Sequence, residues 1–126
     1  MSRFNYLDID DVLAIHTDQL ALFGGAAGTR DVGQLKAAIY RPQAGYYDDL
    51  IGEAAALWES LAMNHPFVDG NKRTALVSAG VFLFLNGLQI TSKDRETWQF
   101  ILGAFEAGNF NFETLDAWLR QNTRVI

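Results

Sequence analysis

The run TALVSAGVFLFL, from Thr74 to Leu85, constrains the fold more than any other part of the chain. Apart from Thr74, Ser78 and Gly80, every position in it is apolar, around the whole circumference of a helix rather than along one stripe. A helix that is hydrophobic all round has to lie inside the protein, with the other elements built around it. The run is well short of the ~18 to 20 residues that a membrane span needs, and Asn86 and Gly87 close it. A central buried helix is therefore expected, and no membrane association.

The rest of the chain supplies helices to surround it. Asp8 or Asp10 can cap a helix running to Phe23, with Val12, Leu13, Ile15, Leu20 and Phe23 on its apolar stripe. GGAAG ends it. TRDVGQLKAAIYRP predicts a short second helix stopped before Pro42. QAGYYDDLIG reads as an exposed loop or a short hairpin. Glu53 to Asn64 is helical, with Ala54, Leu57, Trp58, Leu61 and Ala62 on one face. The central helix runs from about Lys72 to Leu85, LQIT is a short strand, and helices follow over Lys93 to Ala107 and from Asn111 onward. The three tryptophans, Trp58, Trp98 and Trp118, fall on apolar faces and read as core. The expected architecture is all-α: about six helices around a buried one, with a small β-hairpin or flap. The 126 residues are expected to form one domain, 1–126.

Composition narrows the function. The net charge of −5 argues against direct nucleic-acid binding, which rests on clustered positive surface. The absence of cysteine excludes disulfides and thiolate metal sites and fits a reducing, cytoplasmic setting. The opening MSRFNYLDIDD lacks the basic-then-apolar order of a secretory signal.

Directly before the buried helix stands HPFVDGNKRT, His65 to Thr74. A helix N-terminus offers unpaired N–H groups and partial positive charge, and so binds phosphate. Gly70 lets a ligand approach the backbone. Asn71 can cap the helix and also donate an amide to an oxygen, and Lys72 and Arg73 add a point charge and a planar fork of donors. Asp69 is a hard carboxylate of the kind Mg²⁺ prefers when it shares substrate phosphates. A neutral imidazole at His65 can take a proton from an attacking hydroxyl. An anion cradle, a metal ligand and a base are the parts of phosphoryl or nucleotidyl transfer. Taken singly, each residue has an ordinary reading: structural histidine, Asp-Gly turn, helix cap, solvated Lys-Arg pair. Their sharing one loop against a buried helix favours a site. One histidine and one aspartate supply too few ligands for a metal nuclease. His16, between Ile15 and Leu20, reads as structural.

HPFVDGNKR resembles the signature HPFx(D/E)GN(G/K)R of the Fic (filamentation induced by cAMP) superfamily, matching it over His65 to Arg73. GTRDVGQLKAAIYRPQ and the apolar helix after the motif are similar to the Doc (death on curing) toxin branch. AMP-transferring Fic proteins usually carry glycine where this chain has Lys72, and many carry a second arginine where it has Leu76. In the Doc branch, lysine accompanies a reversed ATP pose and transfer of the γ-phosphate to a threonine of elongation factor Tu, which stops translation. The resemblance thus implies a toxin of a toxin–antitoxin system acting as a protein kinase. It implies ATP and Mg²⁺ as cofactors, His65 as base, and Asp69 holding Mg²⁺ or shaping the site. Gly70, Asn71, Lys72 and Arg73 would bind phosphates, and Phe67 would anchor the loop in the core. Tyr46 and Tyr47 would line a flap that aligns the target. The Fic self-inhibitory pattern (S/T)xxxE(G/N) is only approached at Ser92 to Glu96, where Thr97 follows, so inhibition by a Phd-like antitoxin tail is expected instead. Leu20, Phe23 and Tyr40 are candidates for the groove that receives the tail, or else core. The alternatives are a Fic-type AMP-transferase and a nucleotide-binding interaction module without turnover.

Overall fold

A computed structural model describes residues 3–126; Met1 and Ser2, the start of the stretch inspected for a secretory signal, lie outside it. The described residues fold into six α-helices: α1 Ile9–Phe23, α2 Val32–Tyr40, α3 Leu50–Met63, α4 Asn71–Leu85, α5 Asp94–Glu106 and α6 Phe112–Gln121. Two short strands, β1 Leu88–Ile90 and β2 Thr123–Val125, complete it.

Side chains fix most of the helix starts. Asp8 caps α1 by accepting from Asp11 N–H, while the Asp11 carboxylate accepts from Asp8 N–H in return. Asp31, Asp49 and Asn111 cap α2, α3 and α6 in the same N-cap position. Asp49 starts α3 at Leu50, earlier than the expected Glu53. QAGYYDDLIG is therefore a loop only over residues 45–49: its first two residues end a 3-10 helix, and its last three begin α3. Before it, Arg41–Ala44 forms a 3-10 helix with Pro42 in its first turn, where the missing N–H costs nothing.

α3 packs along α4, and this pair is the centre of the protein. Ala54, Ala55 and Ala62 on α3 and Ala75 and Ala79 on α4 are fully buried. Side chains this small let two helix axes approach closely. Trp58, Leu61, Phe82 and Leu83 fill the space on either side, with Leu115 and Leu119 from α6 and Ile101 from α5 closing the same core. The expected small β element is present, and its partner strand is one the sequence hid. LQI pairs antiparallel with residues 123–125, Leu88 opposite Val125, so residues far apart in sequence are joined beyond the end of α4.

Three expected core residues are not fully enclosed, although Trp98 and Trp118 still pack against the core. Phe23 is 65% exposed at the end of α1, where the helix has already run past the edge of the core. Trp98 is half-buried because it stands at the wall of a cavity, and Trp118 is half-buried against Phe100, stacked at 4.9 Å. Trp58 alone of the three is fully enclosed. Among the described residues no helix is long and apolar enough to cross a membrane.

Candidate active site

The polar loop between α3 and α4 is built on Phe67, which is 1% exposed. Its ring lies flat on the His16 imidazole, centroids 3.8 Å apart and planes within 7°. His16 is buried on α1, and its Nε2–H donates to the carbonyl of Asp69 at 2.8 Å. A carbonyl oxygen only accepts, so the proton must be on Nε2. Asn71 closes the loop from the other side: Phe67 N–H donates to its Oδ1 at 2.9 Å and its Nδ2 donates to Phe67 O at 3.0 Å. The backbone at Gly70 has φ +77°, and an added Cβ would come within 3.3 Å of Leu20 and 3.7 Å of His16. The left-handed turn favours glycine there, and a side chain would also press on the Leu20 methyl.

A second segment, residues 24–31, is laid alongside. Val68 N–H donates to Gly28 O at 3.0 Å, forming an isolated antiparallel bridge between Thr29 and Phe67. Arg30 N–H and Asp31 N–H both donate to Pro66 O, at 2.8 and 3.0 Å. The Arg30 guanidinium donates from Nε to His65 O at 2.7 Å and from Nη2 to Asn64 O at 3.1 Å. Gly25 approaches so closely that a Cβ on it would lie 2.8 Å from Asp69 Oδ2. His65 itself adopts φ +49°, the one non-glycine residue at positive φ among the described residues.

Behind this loop, α4 presents its N-terminus. Its first backbone bond runs from Thr74 N–H to Gly70 O. The N–H groups of Asn71, Lys72 and Arg73 precede that bond and meet no acceptor among the described residues. Lys72 extends its ammonium over the Phe105 ring, 4.3 Å from the centroid, and pairs with no carboxylate among the described residues. Arg73 donates from Nη2 to Gly24 O at 3.0 Å and covers the Phe23 ring. Asn71, Lys72, Arg73 and Phe23 line one cavity of about 750 Å³. Its lining combines the polar His65, Asn71, Lys72 and Arg73 with the apolar Leu76, Val77 and Trp98.

The sequence-predicted residues fall into three groups. His65, Asp69, Gly70, Asn71, Lys72 and Arg73 all line this cavity. Within that group Asn71 is not the helix cap: Gly70 takes the N-cap position, and the Asn71 amide is tied to the Phe67 backbone, leaving one N–H for a ligand. Asp69 accepts from Gly70 N–H through Oδ1 and from Ala26 N–H through Oδ2, and these bonds hold its carboxyl below the usual carboxylate range. No cluster of three metal-ligating side chains occurs among the described residues. Asp69 nonetheless keeps a lone pair on each oxygen, and a single carboxylate completed by phosphate oxygens is a normal Mg²⁺ arrangement.

Tyr46 and Tyr47 belong to a different depression, of about 390 Å³, which shares no lining residue with the first. Tyr46 is 86% exposed, whereas Tyr47 accepts from Arg41 Nε at 2.8 Å and packs against Phe112. Of the three groove candidates, Leu20 is half-buried, and Phe23 and Tyr40 are exposed. Sequence reasoning did not find Arg30, the bond from His16 to the loop, or the cavity residues Asp94 and Trp98. The signal available for Arg30 was its place in the segment that also carries the α2 cap, Asp31.

Comparison with known proteins bears on the same stretch. The Fic/DOC family model matches residues 6–83, which include α1, residues 24–31 and the polar loop. A protein named Toxin Doc from Mycolicibacterium smegmatis is 49% identical over 92 residues, 69% of this chain and 68% of that one. The Protein kinase doc of Escherichia phage P1 is 37% identical over 89 residues, 68% of this chain and 71% of that one.

Proposed function

The chain belongs to the Fic/Doc family, and on that basis we propose that it is the toxin of a toxin–antitoxin pair, a cytoplasmic single-domain protein kinase. Its reaction would move the γ-phosphate of ATP to a threonine of elongation factor Tu and so stop translation. The observation that carries this reading is the meeting of His65, three acceptor-free N–H groups and Lys72 in the lining of one cavity.

The chemistry follows from that lining. The N–H groups of Asn71, Lys72 and Arg73 take phosphate oxygens, helped by the helix dipole. The Lys72 ammonium, the remaining Arg73 donors and the one N–H left on Asn71 neutralise charge that accumulates on the transferring group. The His65 ring hydrogen-bonds to no group among the described residues and is open to an incoming hydroxyl. It accepts the threonine proton as oxygen bonds to the γ-phosphorus, and the bond to the bridging β–γ oxygen breaks to release ADP. Asp69 would hold Mg²⁺, which supplies charge neutralisation on the phosphates when bound. The apolar wall of Leu76, Val77 and Trp98 suits a nucleobase better than a polyphosphate. Tyr46 is free to meet a target segment, and Tyr47 holds the loop that carries it. Exposed Leu22 and Phe23 offer apolar surface to a Phd-like antitoxin tail folding as a helix.

The test is the intact mass of elongation factor Tu after incubation with the protein and Mg²⁺-ATP, with His65→Ala as control. A phosphate-sized gain that the variant abolishes is expected. An AMP-sized gain, or none, overturns the assignment.

A further inference from the structure

We propose that Arg30 is the positioning residue for His65, fixing the catalytic ring through the backbone it hangs from. The proposal rests on the reading of His65 as the base. His65 has φ +49° and is followed by Pro66. Both facts oppose its conformation: side chains other than glycine resist the left-handed region, and a residue before proline is pushed toward extended backbone. Nothing within residues 64–66 supports this geometry, and the force comes from outside. Three consecutive carbonyls, Asn64, His65 and Pro66, accept four hydrogen bonds from Arg30 and Asp31. Arg30 supplies three of them, two through its side chain and one through its N–H.

The guanidinium is suited to this. Its planar fork reaches two neighbouring carbonyls at 2.7 and 3.1 Å with fixed geometry, which a point-like ammonium does not reproduce. Without it, the peptide between His65 and Pro66 is free to turn toward the extended conformation. That rotation swings the Cα–Cβ bond of His65, and the imidazole leaves the α4 N-terminus where the phosphate is held. Nucleotide binding depends on α4 and is untouched, because its N–H groups and Lys72 do not contact Arg30.

The full-length protein is compared with Arg30→Ala and Arg30→Lys by steady-state transfer and by the histidine Cε1–Hε1 resonances. His65 and His16 are the only two histidines. Arg30→Ala is expected to lower kcat by about tenfold or more while the ATP KM stays within about twofold. The His65 resonance moves and the His16 resonance stays. Arg30→Lys recovers part of the rate. A merely stabilising cap on α3 would lower the melting temperature and leave both kcat and the His65 resonance alone, and that result overturns the proposal. So does a His65 resonance that stays in place whatever the activity, or an equal loss in ATP affinity. If wild-type protein transfers nothing to any target, the kinase reading falls while the resonances still decide the role of Arg30. Should Arg30→Ala fail to fold, Arg30→Lys and Arg30→Gln carry the same comparison.

Discussion

Replacing His16 by phenylalanine separates the two things that this side chain does. The ring stacked on Phe67 at 3.8 Å is kept, and the donor to Asp69 O at 2.8 Å is removed. A polar group that loses its partner in a mostly buried setting costs about 1 to 3 kcal/mol. His16 is 5% exposed while Asp69 is exposed, so water can reach part of the orphaned carbonyl and the lower half of that range applies. His16→Phe is therefore expected to destabilise the fold by about 1 to 2 kcal/mol. His16→Ala also removes the ring from the Phe67 face, and a buried aromatic truncated to alanine costs about 3 to 5 kcal/mol. The assay is urea unfolding followed by tryptophan fluorescence, with Trp58 inside the core as reporter. Amide exchange at Gly70, whose N–H shares a peptide group with the freed carbonyl, reports the local effect. If His16→Phe is within about 0.5 kcal/mol of wild type, the bond carries no weight. If alanine costs no more than phenylalanine, the stack carries none.

Gly25→Ala places a methyl 2.8 Å from Asp69 Oδ2 on backbone at φ +123°. A loss of about 1 to 3 kcal/mol is expected by urea titration, with faster exchange of the Ala26 amide. Lys72→Met removes an ammonium that pairs with no carboxylate among the described residues, so calorimetry with a non-hydrolysable ATP analogue should show affinity lower by about tenfold or more. Thermal stability should barely change. The hydrogen bond from Arg120 lowers the pKa of Asp49, so this pair stabilises the fold above the unfolded carboxylate value of about 4, and the contribution fades as pH falls through the lower folded value. Both side chains are nearly half exposed, 46% and 47%, which limits the effect to less than about 1 kcal/mol. Arg120→Met should flatten the urea midpoint against pH in that acid window.

The helical frame was legible because its signals are local. Asp8, Asp31 and Asn111 stand in front of periodic apolar segments, and caps of this kind act within one turn. α4 was legible because an all-apolar run has only one place to go. The start of α3 was missed where the tyrosines and paired aspartates of YYDDL looked like a surface loop, although Asp49 is its cap. β2 was missed because three residues, two of them polar, carry no period, and only their pairing with LQI makes them a strand. The same division holds at the site. The residues from His65 to Arg73 announced themselves by chemistry. What holds them did not, because the partners lie far off: His16 is 53 residues from Asp69, and Arg30 is 35 from His65. GGAAG was read as the end of a helix, and nothing in it says that a second loop lies against its backbone.

The bridge between Thr29 and Phe67 also limits how the motif can be moved. Ten residues, His65 to Thr74, look like a cassette that a designer might graft between any two helices. The grafted loop would keep Asn71 folded onto Phe67 and the free end of the helix, since those are internal to it. It would lack the neighbouring segment that holds Asn64, His65 and Pro66, and the histidine would relax toward extended backbone. The transplantable unit is two loops from two helical hairpins, 24–31 and 64–73, in fixed register. A scaffold that offers only one of them inherits an anion site without a base in place.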